Sequence, residues 1–467
     1  MEKTAGELLQ EKLFYRKKHG GEALGQEEVT RAFDFCVGYR HFLDTAKTER
    51  RAVAYAQRLA LEHGYEEFCP GKKYRCGDRV FRVNRGKAII LATIGERPLS
   101  EGVKISAAHI DSPRLDLKQV PVYEDHEIAY FKTHYYGGIR KYQWPTVPLS
   151  LYGSILRSDG SRLDISIGDQ PEDPVFYISD LLPHLAQEQS QKKLVEAVNA
   201  ESLNLIVGSL PFRDDKVSEK VKLNLLNLLF EKYGIVESDF LSAELEAVPA
   251  FSSRDIGFDR SLIGGYGHDD RVCAYPALMA ALDCKDCAYT NITVLTDKEE
   301  IGSEGNTGLN SAYFAYFVED LAAPYGLSSR EILPKSECLS ADVNAAFDPN
   351  FPEVFEARNA SFLNYGVVVT KYTGARGKSD TSDASAEYTG KIRNLFDREQ
   401  VLWQSGELGK VDIGGGGTVA KYIAGLNVDV IDVGVPVLSM HSPYEVVAKI
   451  DVYMAYKAFS AFFKQQG

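Results

Sequence analysis

Residues Asn291–Gly308 read NITVLTDKEEIGSEGNTG. Ile292, Thr293, Val294 and Leu295 are β-branched or apolar and too few for a helix, so the run predicts a buried strand. Gly302, Gly305 and Gly308 then interrupt regular structure. Glu299 and Glu300 thus fall at the carboxyl end of a strand, the edge at which open α/β sheets bind ligands. Neighbouring residues in extended chain point opposite ways, so two adjacent acids can take different tasks, one on a metal and one on a proton. Taken alone, the Asp-Lys-Glu-Glu run suits a solvated turn equally well.

Outward from this stretch the pattern is α/β. TERRAVAYAQRLALEH, from Thr48 to His63, places Ala52, Val53, Ala56, Leu59 and Ala60 on one helical face, with Gly64 as a stop. DRVFRVNRGKAIILATIG turns through Asn84, Arg85 and Gly86 as a hairpin, and VKISAAHIDSP follows as a strand ending at His109. From Asp116 to about Phe251 short runs rich in Tyr, Val, Ile and Thr predict a β-rich insertion with a helix near Ser218–Lys232. Strand-like and helix-like runs then alternate again through ITVLT, FEARNASF, VVVTKYT and VDVIDVGV, and SPYEVVAKIDVYMAYKAFSAFF predicts a closing amphipathic helix. The expected organisation is one α/β domain, residues 1–115 and 252–467, interrupted by 116–251.

With 467 residues, a two-part organisation is the natural expectation. A hydrophobic share of 44% and a charged share of 25% are ordinary for a globular chain. A net charge of -13 without a basic patch argues against nucleic acid and anionic membrane as partners. No apolar run approaches membrane-spanning length, and the first twenty residues lack the apolar centre of a signal peptide, so the expected location is the cytoplasm. Seven scattered cysteines fit reduced thiols, and the lone Cys284-x-x-Cys287 lacks the second pair a structural zinc site needs. The run DIGGGGTVAKYI contains Gly415-x-Gly417-x-x-Ala420, but no apolar strand precedes it, as a dinucleotide fingerprint requires.

Five stretches carry candidate metal ligands: His109 in AAHIDSP, Asp269 in GGYGHDDRV, Glu300 in DKEEIGS, Asp342 in SADVNAAFDP and His441 in LSMHSPYE. Each sits at a predicted strand end or turn. Imidazole with carboxylate suits zinc and its first-row neighbours, whereas calcium and magnesium sites rarely recruit two histidines. Spacing alone cannot join residues so far apart in sequence.

The motifs HIDSP, KEEIGSEG, SADVN followed by DPN, and DVGVPVLSMHSPYE together resemble the aspartyl aminopeptidase family of cytosolic dinuclear zinc exopeptidases. The resemblance implies a mixed-sheet zinc-exopeptidase catalytic domain interrupted by a β-rich dimerisation domain at 116–251. It implies two zinc ions per subunit, with cobalt or manganese as substitutes. His109, Asp269 and Asp342 would hold one, and Asp269, Glu300 and His441 the other, Asp269 bridging. A slip of one residue would make Asp270 the bridge. Glu299 becomes the general base, and Asp111 orients the His109 imidazole. Lys371 aligns with a lysine near the substrate pocket and His184 with a motif reaching a neighbouring subunit's site. The implied activity is removal of amino-terminal residues, acidic ones included, from peptides, inside a tetrahedral dodecamer. A carboxypeptidase or deacylase, or a non-catalytic assembly protein on the same scaffold, is the alternative. The chain departs from the family pattern at three places that bear on the preference for acidic residues: GGIRKYQWP stands where an aromatic-flanked histidine is expected, Asn344 where a histidine is expected after Asp342, and TGARGKSD where Asn-rich residues are expected after Lys371.

Overall fold

The structure, a computed structural model, describes residues 3–466. Its largest sheet has nine strands. At the centre, Asn291–Thr296, Lys104–His109, Glu337–Ala341 and Asp429–Gly434 run parallel. Antiparallel neighbours flank them: Ala88–Thr93 on one side and Val367–Thr370 on the other. All six residues of Asn291–Thr296 and of Lys104–His109 are buried. Alternate side chains of these strands enter opposite cores, as a strand covered on both faces requires. Ala108 and Leu295 meet the helices Gln26–Thr45, Glu49–Glu62, His268–Asp283 and Lys449–Phe463 on one face, while Ala107 and Val294 meet Tyr313–Ala322 and Ala420–Ala424 on the other.

A second sheet of six strands, all paired antiparallel, spans Arg114 to Pro249. It encloses a core of its own around Leu115, Phe131, Trp144, Tyr152 and Phe240. The helix Lys220–Tyr233 packs against it. A third, five-stranded sheet joins Leu262–Gly265 to Glu445–Ala448 and Pro436–Leu438.

Locally coded elements form where the sequence predicts them. The hairpin turns at Arg85 and Gly86 with φ of 54° and 68°, and Glu49–Glu62 is capped by the Thr48 hydroxyl. Two expectations fail. FEARNASF forms neither helix nor strand, because Glu356 accepts from the backbone amides of Arg358 and Asn359 and closes a turn. The final helix begins only at Lys449, since Glu445–Ala448 pairs with Leu262–Gly265 and is taken up as a strand.

Candidate metal centre

The parallel strands end in register, with Thr296 opposite His109 and Ala341 opposite Ala108. The residues just beyond them, Glu299, Glu300 and Asp342, therefore converge on the His109 imidazole. Asp269 enters at the head of the His268–Asp283 segment, and His441 follows the strand Pro436–Leu438.

His109 Nε2 lies 3.1 Å from Asp269 Oδ1, 3.8 Å from Asp342 Oδ1 and 4.0 Å from Glu299 Oε2. His441 Nε2 lies 3.1 Å from Asp269 Oδ2 and 3.5 Å from Glu300 Oε2. Both Nδ1 atoms are engaged elsewhere. That of His109 is 3.1 Å from the Asp111 carbonyl and 3.3 Å from its carboxylate, and that of His441 is 2.8 Å from the Gly138 carbonyl. A proton on Nδ1 leaves each Nε2 lone pair directed at the carboxylates, the tautomer a metal ligand needs.

The electrostatics match. Burial raises the Glu299 carboxyl to about 8, with His109 pulling it down and Asp342 and Asp111 adding to the rise. Burial and the neighbouring Asp269 carry Glu300 well above the usual carboxylate range. For His441, burial acts downward, but Asp269 and Glu300 override it and push the imidazole up to about 11. So many acids in one low-dielectric space hold on to cations, protons or metals. Among the described residues, Asp269 Oδ1 and Glu300 Oε1 are buried without a hydrogen-bond partner. Donor atoms of His109, Asp269 and Glu300 lie within 4.8 Å of one another, as do those of His109, Asp270 and Asp342. These are oxygen and nitrogen donors suited to zinc, so the residues fit that ion. Asp270 is fully buried, and both of its oxygens lack a partner.

The centre opens into a cleft of about 410 Å³ whose walls include Val343, Leu408, Gly415, Lys421 and Met440. Gly415, at φ 119°, leaves no room for a side chain, since a Cβ would stand 2.4 Å from Ala375 Cα. Two residues read from the sequence lie elsewhere. Lys371 is not part of the cleft wall: its Nζ pairs with Asp383 at 3.1 Å, and Thr373 lines the cleft instead. Lys421 stands in the wall, 3.6 Å from Asp380. His184 is exposed and borders a separate cleft in the inserted segment together with Leu185.

Sequence reasoning missed Glu445. One oxygen of its buried carboxylate accepts from the His441 amide at 2.7 Å and the other from the Asp269 amide at 3.1 Å. Its place four residues after His441 in LSMHSPYE was the available signal. Tyr136, whose hydroxyl donates to Asp111, was equally hidden, marked only by the two glycines after it.

An α/β sheet covered on both faces, with imidazoles and carboxylates gathered beyond its parallel strands, defines a metal-dependent hydrolase. The family described as aminopeptidase I zinc metalloprotease (M18) matches residues 42–463, and the chain belongs to it: it is a zinc aminopeptidase. The chain is 46% identical over 453 residues to the probable M18 family aminopeptidase 1 of Clostridium acetobutylicum, covering 95% of this chain and 97% of that one. The crystal structure of the M18 family aminopeptidase from Thermotoga maritima matches with a TM-score of 0.92 at 43% identity, over 97% of this chain and 100% of that one. The S. cerevisiae mApe1 dodecamer shares the fold, with a TM-score of 0.75 at 21% identity over 94% of this chain and 98% of that one. Among the described residues no helix is long and apolar enough to cross a membrane.

Proposed function

We propose that the protein holds two zinc ions per subunit, His109, Asp269 and Asp342 on one and Asp269, Glu300 and His441 on the other, and uses Glu299 as general base. The observation that carries this reading is the reach of Asp269: its two oxygens each lie 3.1 Å from a different histidine Nε2. Bound zinc supplies Lewis-acid polarisation of the scissile carbonyl and a lowered pKa for the attacking water. The chain's own residues do the rest. Glu299, at the cleft, takes the proton of that water on a carboxylate oxygen and returns it to the leaving amine. Asp111 holds the His109 ring from behind and accepts from the amides of both Glu299 and Glu300, fixing base and ligand in one turn. Cobalt or manganese serves in place of zinc, because the same donors suit first-row divalent ions.

The substrates are peptides with free amino termini. We assign preference for acidic first residues to Lys421 rather than Lys371, while Val343, Leu408 and Met440 in the same wall accept apolar ones. The β-rich segment 116–251 is read as a dimerisation domain, and the assembly as a tetrahedral dodecamer in which His184 reaches a neighbour's site. Support comes from Leu181, Leu182, Leu185, Leu194 and Val195, all at least half exposed and close in sequence, more apolar surface than a monomer commonly leaves wet. The aromatic residues of the segment carry less of that argument, since Phe131, Trp144 and Tyr152 are buried in its own core. Seven free cysteines support a reducing, cytoplasmic location.

The test combines metal analysis with product identification. Two zinc ions per chain and release of the first residue from a free peptide, with none from its amino-acetylated form, are expected. Release of the last residue, or a single zinc at full activity, refutes the reading.

A further inference from the structure

The second sheet reaches the metal centre through three consecutive residues. The strand Ile128–Tyr136 ends in a tyrosine whose hydroxyl donates to Asp111 Oδ2 at 2.8 Å. Asp111 is fully buried, and its carboxylate also receives the amides of Glu299 at 3.1 Å and Glu300 at 3.2 Å and stands 3.3 Å from His109 Nδ1. Two residues later the carbonyl of Gly138 accepts from His441 Nδ1 at 2.8 Å. Between them Gly137 has φ 75° and lies so close to Glu300 that a Cβ would stand 3.2 Å from its Oε2. One short stretch thus touches the support of one histidine, the support of the other, and a carboxylate between them.

What holds this stretch is a buried charge cluster at the junction of the two sheets. The Arg114 guanidinium lies 3.9 Å from the centre of the Tyr136 ring. Arg114 also contacts Asp116 at 2.8 Å, and Glu49 and Glu246 at 3.4 Å each. Asp116 and Glu246 face each other across paired strands of the second sheet, and Glu49 opens a helix packed on the first. The tyrosine is therefore clamped from both sides of the junction.

We propose that Tyr136-Gly137-Gly138 is a positioning element through which the second sheet sets the orientation of His109, His441 and the Glu299–Glu300 turn. Tyr136 and Gly137 stand behind the cleft wall, of which Gly138 forms a part. The element acts through Asp111 and through a backbone carbonyl, and it rests on the metal-ligand reading above. A carboxylate that has lost one of its donors is held less tightly, and any shift of Asp111 passes at once to the ring of His109 and to both amides of the Glu299–Glu300 turn.

Tyr136→Phe in the full-length protein removes one donor and keeps the ring. Zinc affinity, measured by chelator competition, is expected to fall about 10- to 100-fold. Turnover at saturating zinc should fall about tenfold with KM within about twofold, because substrate contacts are untouched. Melting of the zinc-stripped variant should match that of the stripped parent within about 2 °C. Gly137→Ala, which crowds Glu300, should lower zinc affinity as well. Parental zinc affinity and kcat in Tyr136→Phe overturn the proposal, as does a loss of stability in the stripped variant that accounts for the whole effect. His109→Ala separates this failure from that of the underlying reading: if it keeps full zinc the ligand assignment falls, and if it loses zinc while Tyr136→Phe does not, only the positioning role falls.

Discussion

Replacing Glu299 by Gln separates proton transfer from metal binding, since amide and carboxylate are nearly isosteric and only the carboxylate accepts a proton. The structure sets the size of the loss. Glu299 Oε2 stands 4.0 Å from His109 Nε2, and the side chain is 17% exposed, so solvent cannot readily replace it as proton acceptor. The neighbours are placed for other tasks: Asp111 is occupied by backbone amides, Asp269, Glu300 and Asp342 face the histidines, and Asp270 is fully buried beside His109 and Asp342. General-base removal then costs about 10²- to 10⁴-fold in kcat, which at about 1.36 kcal/mol per decade is about 2.7 to 5.5 kcal/mol of barrier. The amide of residue 299 still donates to Asp111, so the turn should persist. The assay pairs kcat on aminoacyl p-nitroanilides with zinc per chain. Two retained zinc ions with this loss are expected. A variant that sheds one zinc and loses activity only in proportion would refute the assignment and exchange the roles of Glu299 and Glu300.

Three further outcomes test the remaining assignments. His109→Ala and His441→Ala should each deplete one zinc, and Asp269→Ala should disturb both; a full complement in Asp269→Ala with depletion in Asp270→Ala would move the bridge by one residue. Lys421→Ala should lower kcat/KM for Asp- and Glu-initiated peptides about tenfold more than for Leu-initiated ones, whereas Lys371→Ala, already paired with Asp383, should change both by less than about twofold; selectivity lost in the second variant reverses the assignment. Leu182→Asp with Leu185→Asp should dissociate the assembly and impair turnover, read by light scattering, and a fully active parent at the monomer mass of 51.8 kDa would contradict assembly outright.

What the sequence makes legible follows the range of the forces involved. The turn at Arg85-Gly86 and the helix after Thr48 are set by neighbours in the chain, and both form where pattern and capping place them. A strand end followed by two acids and a glycine loop is similarly local, so Glu299 and Glu300 stand out. The start of the last helix is not local: Glu445–Ala448 pairs with Leu262–Gly265, a partner far away in sequence that overrides helical periodicity. The surroundings of Lys371 are non-local in the same sense. The resemblance puts it just after Val367–Thr370, and its ammonium pairs with Asp383, twelve residues on. The aromatic count of the inserted segment likewise could not tell Trp144, fully buried, from Tyr135, 42% exposed.

The centre contains more acids than a pair of metals needs, and their identity does not sort them; what each oxygen faces does. Asp111 and Glu445 are filled by donors. Asp111 receives the amides of Glu299 and Glu300, and Glu445 those of Asp269 and His441. These two carboxylates anchor the backbone of the proposed base and of three ligand candidates, so side-chain positions at the centre are inherited from backbone tethers rather than left to rotamer choice. Asp269 Oδ1, Glu300 Oε1 and both oxygens of Asp270 are bare instead. A buried carboxylate oxygen without a donor is costly unless a cation meets it, which marks this second group as the metal-facing one. Within it Asp270 competes with Asp269, because it shares a cluster with His109 and Asp342. Reach favours Asp269 as the proposed bridge. Asp269 contacts both imidazoles, so a cation held at His109 and another at His441 could share it, whereas Asp270 is grouped with His109 and Asp342.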